Sequence, residues 1–291
     1  MNAAAETPYV LMSRDRERPD TSWDPEQYGL FSAERSRPFF ELLGRVHADD
    51  PVYVVDLGCG TGELTATLAD RWPAARIEGI DSSPQMIAAA ERRAVPGLRF
   101  AVGNIATWAP AHPVDVIVSN AALHWVPTHR ELLPKWVKAL SPGGWLAFQV
   151  PGNFDGASHD AVRELCRSPR WRELLGEPPR TAAAEVVFGK PVDTPGDYLE
   201  LLATHGCRPV DAWETTYSQI LAGADPVLEW IKGTALRPVL AAFDAADDPE
   251  AKADFLAELA ARLRAAYPPR SYGTVFPFRR VFVVARRDQV A

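Results

Sequence analysis

Cysteine is scarce in this chain of 291 residues. The three that occur, Cys59, Cys166 and Cys207, are scattered, odd in number and form no C-x-x-C pair. That argues against a disulfide framework or a structural zinc, and for a reducing compartment. Basic charge is also short. Lys and Arg total 31 against 38 Asp and Glu, a net charge of −7 with a pI near 5.5. A surface of that sign disfavours non-specific binding to nucleic acid or to acidic membranes, so a small-molecule or protein substrate is expected. Apolar runs of membrane-spanning length are missing, as is a signal-peptide core, and a cytoplasmic location is expected. The length suits one large domain, or one domain with a sizeable insertion.

What is present is organised. Residues 1–20 are polar and charged and read as a flexible extension before a domain spanning 21–291. Trp23-Asp24-Pro25 opens a helical segment with Asp24 as N-cap, and Phe39, Leu42, Leu43 and Val46 follow at helical spacing. Five short apolar runs, at 52–56, 76–80, 98–102, 114–118 and 145–150, alternate with amphipathic ones at 64–71, 84–94 and 130–140. Such alternation predicts βαβ units and a parallel sheet covered on both faces. Ser141-Pro142-Gly143-Gly144 reads as a turn. Beyond Val150 the regularity stops. Helices are expected at 160–166, 195–204, 225–232 and 251–267, with Gly206 ending the second, and strands at 213–221 and 279–286.

The most informative stretch is Val54-Val55-Asp56-Leu57-Gly58-Cys59-Gly60-Thr61-Gly62-Glu63. A β-branched run enters a turn with three alternate glycines, then a helix. Such a turn lets a ligand approach the backbone, and the helix start offers free N–H groups. The spacing is not the dinucleotide G-x-G-x-x-G, because Glu63 stands where the third glycine would be. It resembles motif I of the class I S-adenosylmethionine methyltransferases, E/D-x-G-x-G-x-G. The second strand then ends at Asp81, about 20 residues past the loop, where a carboxylate suits ribose hydroxyls. Asp81 before Ser82-Ser83-Pro84 also reads as a helix cap. Met86 reads as an adenine contact or as core filling.

The class resemblance implies further cofactor contacts. Asn104 at the third strand end would bond the adenine amino group and Ile105 the ring. Asn120 at the fourth strand end would receive the methionine part through its backbone carbonyl, and Cys59 and Ser82 complete the set. His124 and Trp125 follow where a methyl group would be delivered. Each also has a plainer reading, a loop histidine and a core aromatic.

A narrower resemblance rests on Trp23-Asp24-Pro25-Glu26-Gln27-Tyr28, the run Phe31 to Pro38, the glycine loop, Arg71-Trp72-Pro73-Ala74-Ala75-Arg76-Ile77, Gly79-Ile80-Asp81-Ser82-Ser83-Pro84, Leu236-Arg237-Pro238 and the run Phe278 to Arg287. Together these are similar to the trans-aconitate 2-methyltransferase family, over roughly residues 22–288 and most weakly across 151–190. The resemblance implies a doubly wound Rossmann-like α/β sheet of about seven strands, mostly parallel with an antiparallel last strand. A helical cap near 151–190 and 225–270 would cover the cleft. It implies S-adenosylmethionine as cofactor and a small polycarboxylate substrate, with neither nucleic acid nor membrane as partner. Oligomeric state is left open.

A carboxylate, ionised at neutral pH, can attack a methyl group without a base, so no catalytic residue is assigned. Recognition instead needs cations, best supplied by arginine forks. The candidates are Arg35, Arg37, Arg237, Arg279 and Arg280, each of which also suits a surface ion pair. Tyr28 and Trp23 are expected to close over the cofactor, and Tyr217 and Trp230 to wall the substrate pocket. Two alternatives remain open. One is methylation of a phenol or carbon acid, which needs a base and would promote His124. The other is a cofactor-binding protein without catalysis.

Overall fold

The computed structural model describes residues 32–175, 188–189 and 192–289. Its frame is one seven-stranded sheet in the order β3-β2-β1-β4-β5-β7-β6. In sequence order the strands are β1 (Tyr53–Leu57), β2 (Arg76–Asp81), β3 (Leu98–Val102), β4 (Val114–Asn120), β5 (Leu140–Pro151), β6 (Cys207–Leu221) and β7 (Thr274–Arg287). The first five pair in parallel, and β7 runs antiparallel to both β5 and β6. The Val-rich run predicted before the glycines is the central strand, flanked by β2 and β4, and Val54, Val55 and Leu57 are fully buried. Strand order reverses between β1 and β4, so the crevice for a ligand opens at their carboxyl ends.

Helices cover both faces. On one lie α1 (Ser32–Leu43) and α2 (Glu63–Arg71), packing Phe39, Leu42, Leu43 and Leu68 with Val54, Val116 and Val118. On the other lie α4 (His129–Ala139) and α7 (Pro195–Thr204), packing Leu133, Trp136 and Tyr198 with Val55, Ile117 and Phe148. The short α3 (Pro84–Ala90) follows β2. A separate core forms beyond the sheet. There α5 (Ala157–Arg167), α6 (Pro169–Leu175), α8 (Pro226–Lys232), α9 (Arg237–Ala246) and α10 (Pro249–Ala266) gather Trp171, Trp230, Phe243 and Phe255 with Phe276 and Phe278 of β7. These helices occupy the intervals where a cap is expected. No helix among the described residues is long and apolar enough to cross a membrane.

Several boundaries differ from the sequence reading. Ser141-Pro142-Gly143-Gly144 is not a turn between elements but part of β5, where the pairing with β4 shifts register. A Cβ at Gly144 would stand 3.0 Å from the Asp115 carbonyl, so the chain passes too closely for any other residue. The helix after β2 stops at Ala90 and tightens into a 3₁₀ turn at Glu91–Arg93. Strands β6 and β7 start earlier than expected. Pro209 sits on an edge strand, where the pairing of β6 with β7 shifts register between Cys207 and Val210. The Ala-rich tract forms two helices, α9 and α10, separated at Asp247, which adopts φ 53°. Asp248 caps α10 by accepting the Ala251 N–H at 2.9 Å. Helix α6 was not foreseen, because its seven residues are too few to show a period. Gly206 ends α7 at φ 84°, as expected. The predicted Asp24 cap, together with the 1–20 extension, lies outside the described residues.

Candidate active site

The glycine loop is built by its backbone. Gly58 and Cys59 both donate N–H bonds to the Ile80 carbonyl, at 2.7 and 3.0 Å, locking the turn onto the end of β2. Gly58 adopts φ 84°, and a Cβ there would lie 2.3 Å from Cβ of Ala122 in the turn after β4. Gly60 adopts φ 55° with nothing within 4 Å of its would-be Cβ, so its bare face is open to a ligand. Helix α2 starts at Gly62 without any side-chain cap, leaving its first N–H groups for whatever fills the crevice.

Asp81 serves the loop first. Its carboxylate accepts the Gly60 N–H at 3.0 Å through Oδ2 and the Ser83 N–H at 2.9 Å through Oδ1. The cap of α3 is Ser83, which accepts the Met86 N–H. A carboxylate has about four lone-pair sites, so two bonds leave capacity for ribose hydroxyls. Burial raises the Asp81 pKa against those bonds. Asp56 lies deeper. Thr65 donates to its Oδ2 at 2.6 Å, while its buried Oδ1 has no hydrogen-bond partner among the described residues. Burial pushes this carboxyl up to about 7, partly offset by Thr65 and reinforced by the Asp81 charge. Asn104 turns Oδ1 back to the Ala106 N–H at 2.9 Å and keeps one lone pair for a donor such as an adenine amino group.

These groups surround a cavity of about 520 Å³, within the roughly 300–1,000 Å³ usual for small-molecule sites. Its walls include all ten residues named as cofactor contacts: Asp56, Gly58, Cys59, Gly60, Asp81, Ser82, Met86, Asn104, Ile105 and Asn120. Ser36 and Phe39 of α1 also line it, which the sequence did not reveal because they match no loop motif.

A second chamber adjoins the first, with Ala121 and Trp125 lining both. Its other walls include His124, Asn153, Phe154, His159, Trp230, Phe278 and Arg280. No Asp or Glu is among the described residues that line it. Arg280 is only 4% exposed. Burial, then the Arg280 charge, depress His124 to about 3, and burial and Arg163 depress His159 to about 4. Both imidazoles are therefore neutral near pH 7. The buried atoms His124 Nδ1 and Asn153 Oδ1 have no hydrogen-bond partner among the described residues.

Of the predicted substrate residues, His124, Trp125, Trp230 and Arg280 meet in this chamber. The others do not. Tyr217 is buried on the α1 side, donating to Glu41 at 2.6 Å with Arg37 4.9 Å above its ring. It ties β6 to α1 instead of walling the pocket. Arg37 is exposed and paired with Glu41 at 2.7 Å, and Arg279 bridges Asp155 and Glu214 on the surface. Arg237 opens α9, its N–H on the Thr234 carbonyl, outside the residues lining either cavity. Arg35 lies on α1, but its side chain, like Tyr28 and Trp23, lies outside what is described. Sequence reading missed Asn153 and His159, and also Gln149, which lies behind the chamber. The rule that singled out Asn104 and Asn120, that strand carboxyl ends face the ligand, reaches Asn153 when applied to β5.

A parallel sheet with this glycine turn at its switch point and an acidic second-strand end is the architecture of a class I methyltransferase. Residues 54–144 match the family model described as "Methyltransferase domain". A structure of Haemonchus contortus phosphoethanolamine N-methyltransferase 2 in complex with S-adenosyl-L-methionine shares the fold. It has 15% identity and a TM-score of 0.51, covering 87% of this chain and 53% of that one. Among curated proteins, one of Streptomyces avermitilis named trans-aconitate 2-methyltransferase is 52% identical, over 92% of this chain and 97% of that protein. One of Rhodococcus jostii with the same name is 53% identical, over 91% and 99%. The chain belongs to the trans-aconitate 2-methyltransferase family.

Proposed function

We propose that this protein methylates a carboxylate of trans-aconitate, or of a similar small polycarboxylate, with S-adenosylmethionine as methyl donor. The names of its relatives support the substrate, and one observation in the chain carries the reading. Arg280 is buried at the wall of an aromatic chamber whose described lining includes no Asp or Glu, next to the cavity that suits the cofactor. Such a chamber attracts an anion and holds it beside the methyl group.

The fit to the cofactor rests on the open face of Gly60, the uncapped start of α2, the free lone pairs of Asp81 and the unpartnered Asp56 Oδ1. S-adenosylmethionine supplies the methyl group, which passes to a carboxylate oxygen as its bond to sulfur breaks, giving an ester and S-adenosylhomocysteine. No proton moves, and both charges are neutralised. The residues therefore align and desolvate. Arg280 orients the acid, and Trp125 and Trp230 exclude water. His124, at about 3, is too weak a base to ionise a phenol at neutral pH, which favours the carboxylate over the phenol reading. The chamber measures about 50 Å³, room for roughly one or two waters.

The test is transfer from labelled S-adenosylmethionine to a panel of trans-aconitate, cis-aconitate, citrate, isopropylmalate and phenols, with mass spectrometry of the product. A monomethyl ester of trans-aconitate is expected, with kcat flat between about pH 6 and 8 at saturating donor. Arg280→Met should raise KM for the acid about 10- to 100-fold and spare donor binding. Equal damage to both would assign Arg280 a structural role. Donor binding without turnover of any acid would refute the reading.

A further inference from the structure

We infer that Gln149, a residue of β5 behind the chamber, sets the hydrogen-bonding sense of the acid site. The inference rests on the carboxylate reading above. Gln149 is fully buried in an otherwise apolar strand, where a polar side chain is costly unless both ends are bonded. Both ends are. Arg280 Nη1 donates to Gln149 Oε1 at 3.1 Å, and Gln149 Nε2 donates to Asn120 Oδ1 at 2.9 Å. The three residues lie on adjacent strands β4, β5 and β7, with Asn120 opposite Gln149 in register and Arg280 opposite Pro151. The main chain joins them too, since Ala121 donates its N–H to the Gln149 carbonyl at 2.9 Å. Asn120 lines the larger cavity, Arg280 the smaller one, and Ala121 both.

The chemistry of the first group dictates the rest. A guanidinium has donors only, so the Gln149 oxygen must face Arg280. Its NH₂ must then face Asn120, whose oxygen accepts with one of its two lone pairs. That turns the Asn120 oxygen toward Gln149 and its NH₂ the other way. The border between the two cavities therefore carries donors on both sides, the guanidinium of Arg280 and the amide of Asn120, held in that sense by one side chain that touches no ligand. Carboxylates are acceptors only, and this is the polarity they require. Gln149 is thus a positioning residue that determines specificity for an anion.

Gln149→Glu tests this at nearly constant shape. A carboxylate accepts from both neighbours, so it would neutralise Arg280 and turn the Asn120 oxygen toward the ligand. Gln149→Met removes both bonds while leaving the Arg280 charge intact. The KM for the acid is expected to be highest in Gln149→Glu, intermediate in Gln149→Met and lowest in the wild type. Gln149→Glu should exceed Gln149→Met by more than about tenfold, the effect of charge-assisted bonds. Calorimetry should show the same order for trans-aconitate binding in the presence of S-adenosylhomocysteine, with affinity for S-adenosylhomocysteine itself changed less than about twofold. Falls in kcat and Tm with KM unchanged would overturn the inference and leave Gln149 a packing residue. If the wild-type protein neither binds nor methylates any carboxylate, the substrate reading itself has failed. If it does both and Gln149→Glu matches it, only the role of Gln149 is lost.

Discussion

Asp56 is a carboxylic acid held away from water. It is 3% exposed beneath the glycine loop and its carboxyl is pushed up to about 7 by burial. An unfolded chain loses this proton near pH 4, whereas the folded one keeps it to about 7. The stability this group contributes is therefore complete below about pH 4 and is lost as pH rises through 7. Asp56→Asn should flatten that slope, read from urea unfolding at a series of pH values; an unchanged slope would place the titration elsewhere. A cationic ligand favours the ionised form, so affinity for S-adenosylmethionine should rise between about pH 6 and 8 in the wild type and not in Asp56→Asn. Asp81 differs, since two backbone N–H groups already hold it. Asp81→Asn keeps the shape and loses the charge, and should weaken the donor by about 2–3 kcal/mol in calorimetry. Undiminished affinity would leave Asp81 only the task of holding the loop.

Helix α7 shows what an element can contribute without touching the chemistry. Thr194 accepts the Asp197 N–H at 3.3 Å, and Asp197 accepts the Thr194 N–H at 3.1 Å, a reciprocal cap. The helix then buries Tyr198, whose hydroxyl meets His129 Nε2 at 2.8 Å and so joins α7 to α4. Thr194→Ala should cost about 1 kcal/mol of stability and leave donor affinity and acid KM as they were. A shift in either constant would mean that α7 couples to the site. The capping box, Thr194 followed by Pro195 and Asp197, is local chemistry. The partner of Tyr198 is not, because nothing near position 198 indicates a histidine that lies 69 residues away.

At the scale of the molecule, the two cavities belong to different cores. The larger is lined by residues between Ser36 and Val126, on the sheet and its first helices. The smaller borrows Trp230 and Ile231 from the second core, and Thr234 and Ala235 from the segment after α8. Loosening that core should therefore harm the acid and not the donor. Trp171 is its centre, 1% exposed, 5.2 Å from the Phe255 ring and bonded to Glu258 at 2.9 Å. Trp171→Ala should cost about 3–5 kcal/mol if unfolding remains two-state. Below its lowered Tm the variant should show a raised acid KM beside a normal donor affinity. Loss of donor affinity in parallel would show that the two cores act as one.

The sequence by itself determined the larger cavity, where we place the cofactor. Val54 to Glu63 specify a strand, a turn and a helix through local sterics, and Asp81, Asn104 and Asn120 follow at strand ends whose position the βαβ order dictates. The ten residues so named lie around one cavity. Only the tertiary structure decided the smaller cavity, where we place the acid. Arg37, Arg279 and Arg280 are alike in sequence, yet the first two meet carboxylates at the surface while Arg280 turns inward to Gln149. Tyr217 and Trp230 are equally aromatic, yet only Trp230 reaches the chamber. The reason is that the first site is made from contiguous segments, each carrying its own turn geometry. The second is made where β5, β7 and α8 meet across more than a hundred residues, so that strand register and the packing of a second core, and no local pattern, choose which side chain faces the ligand.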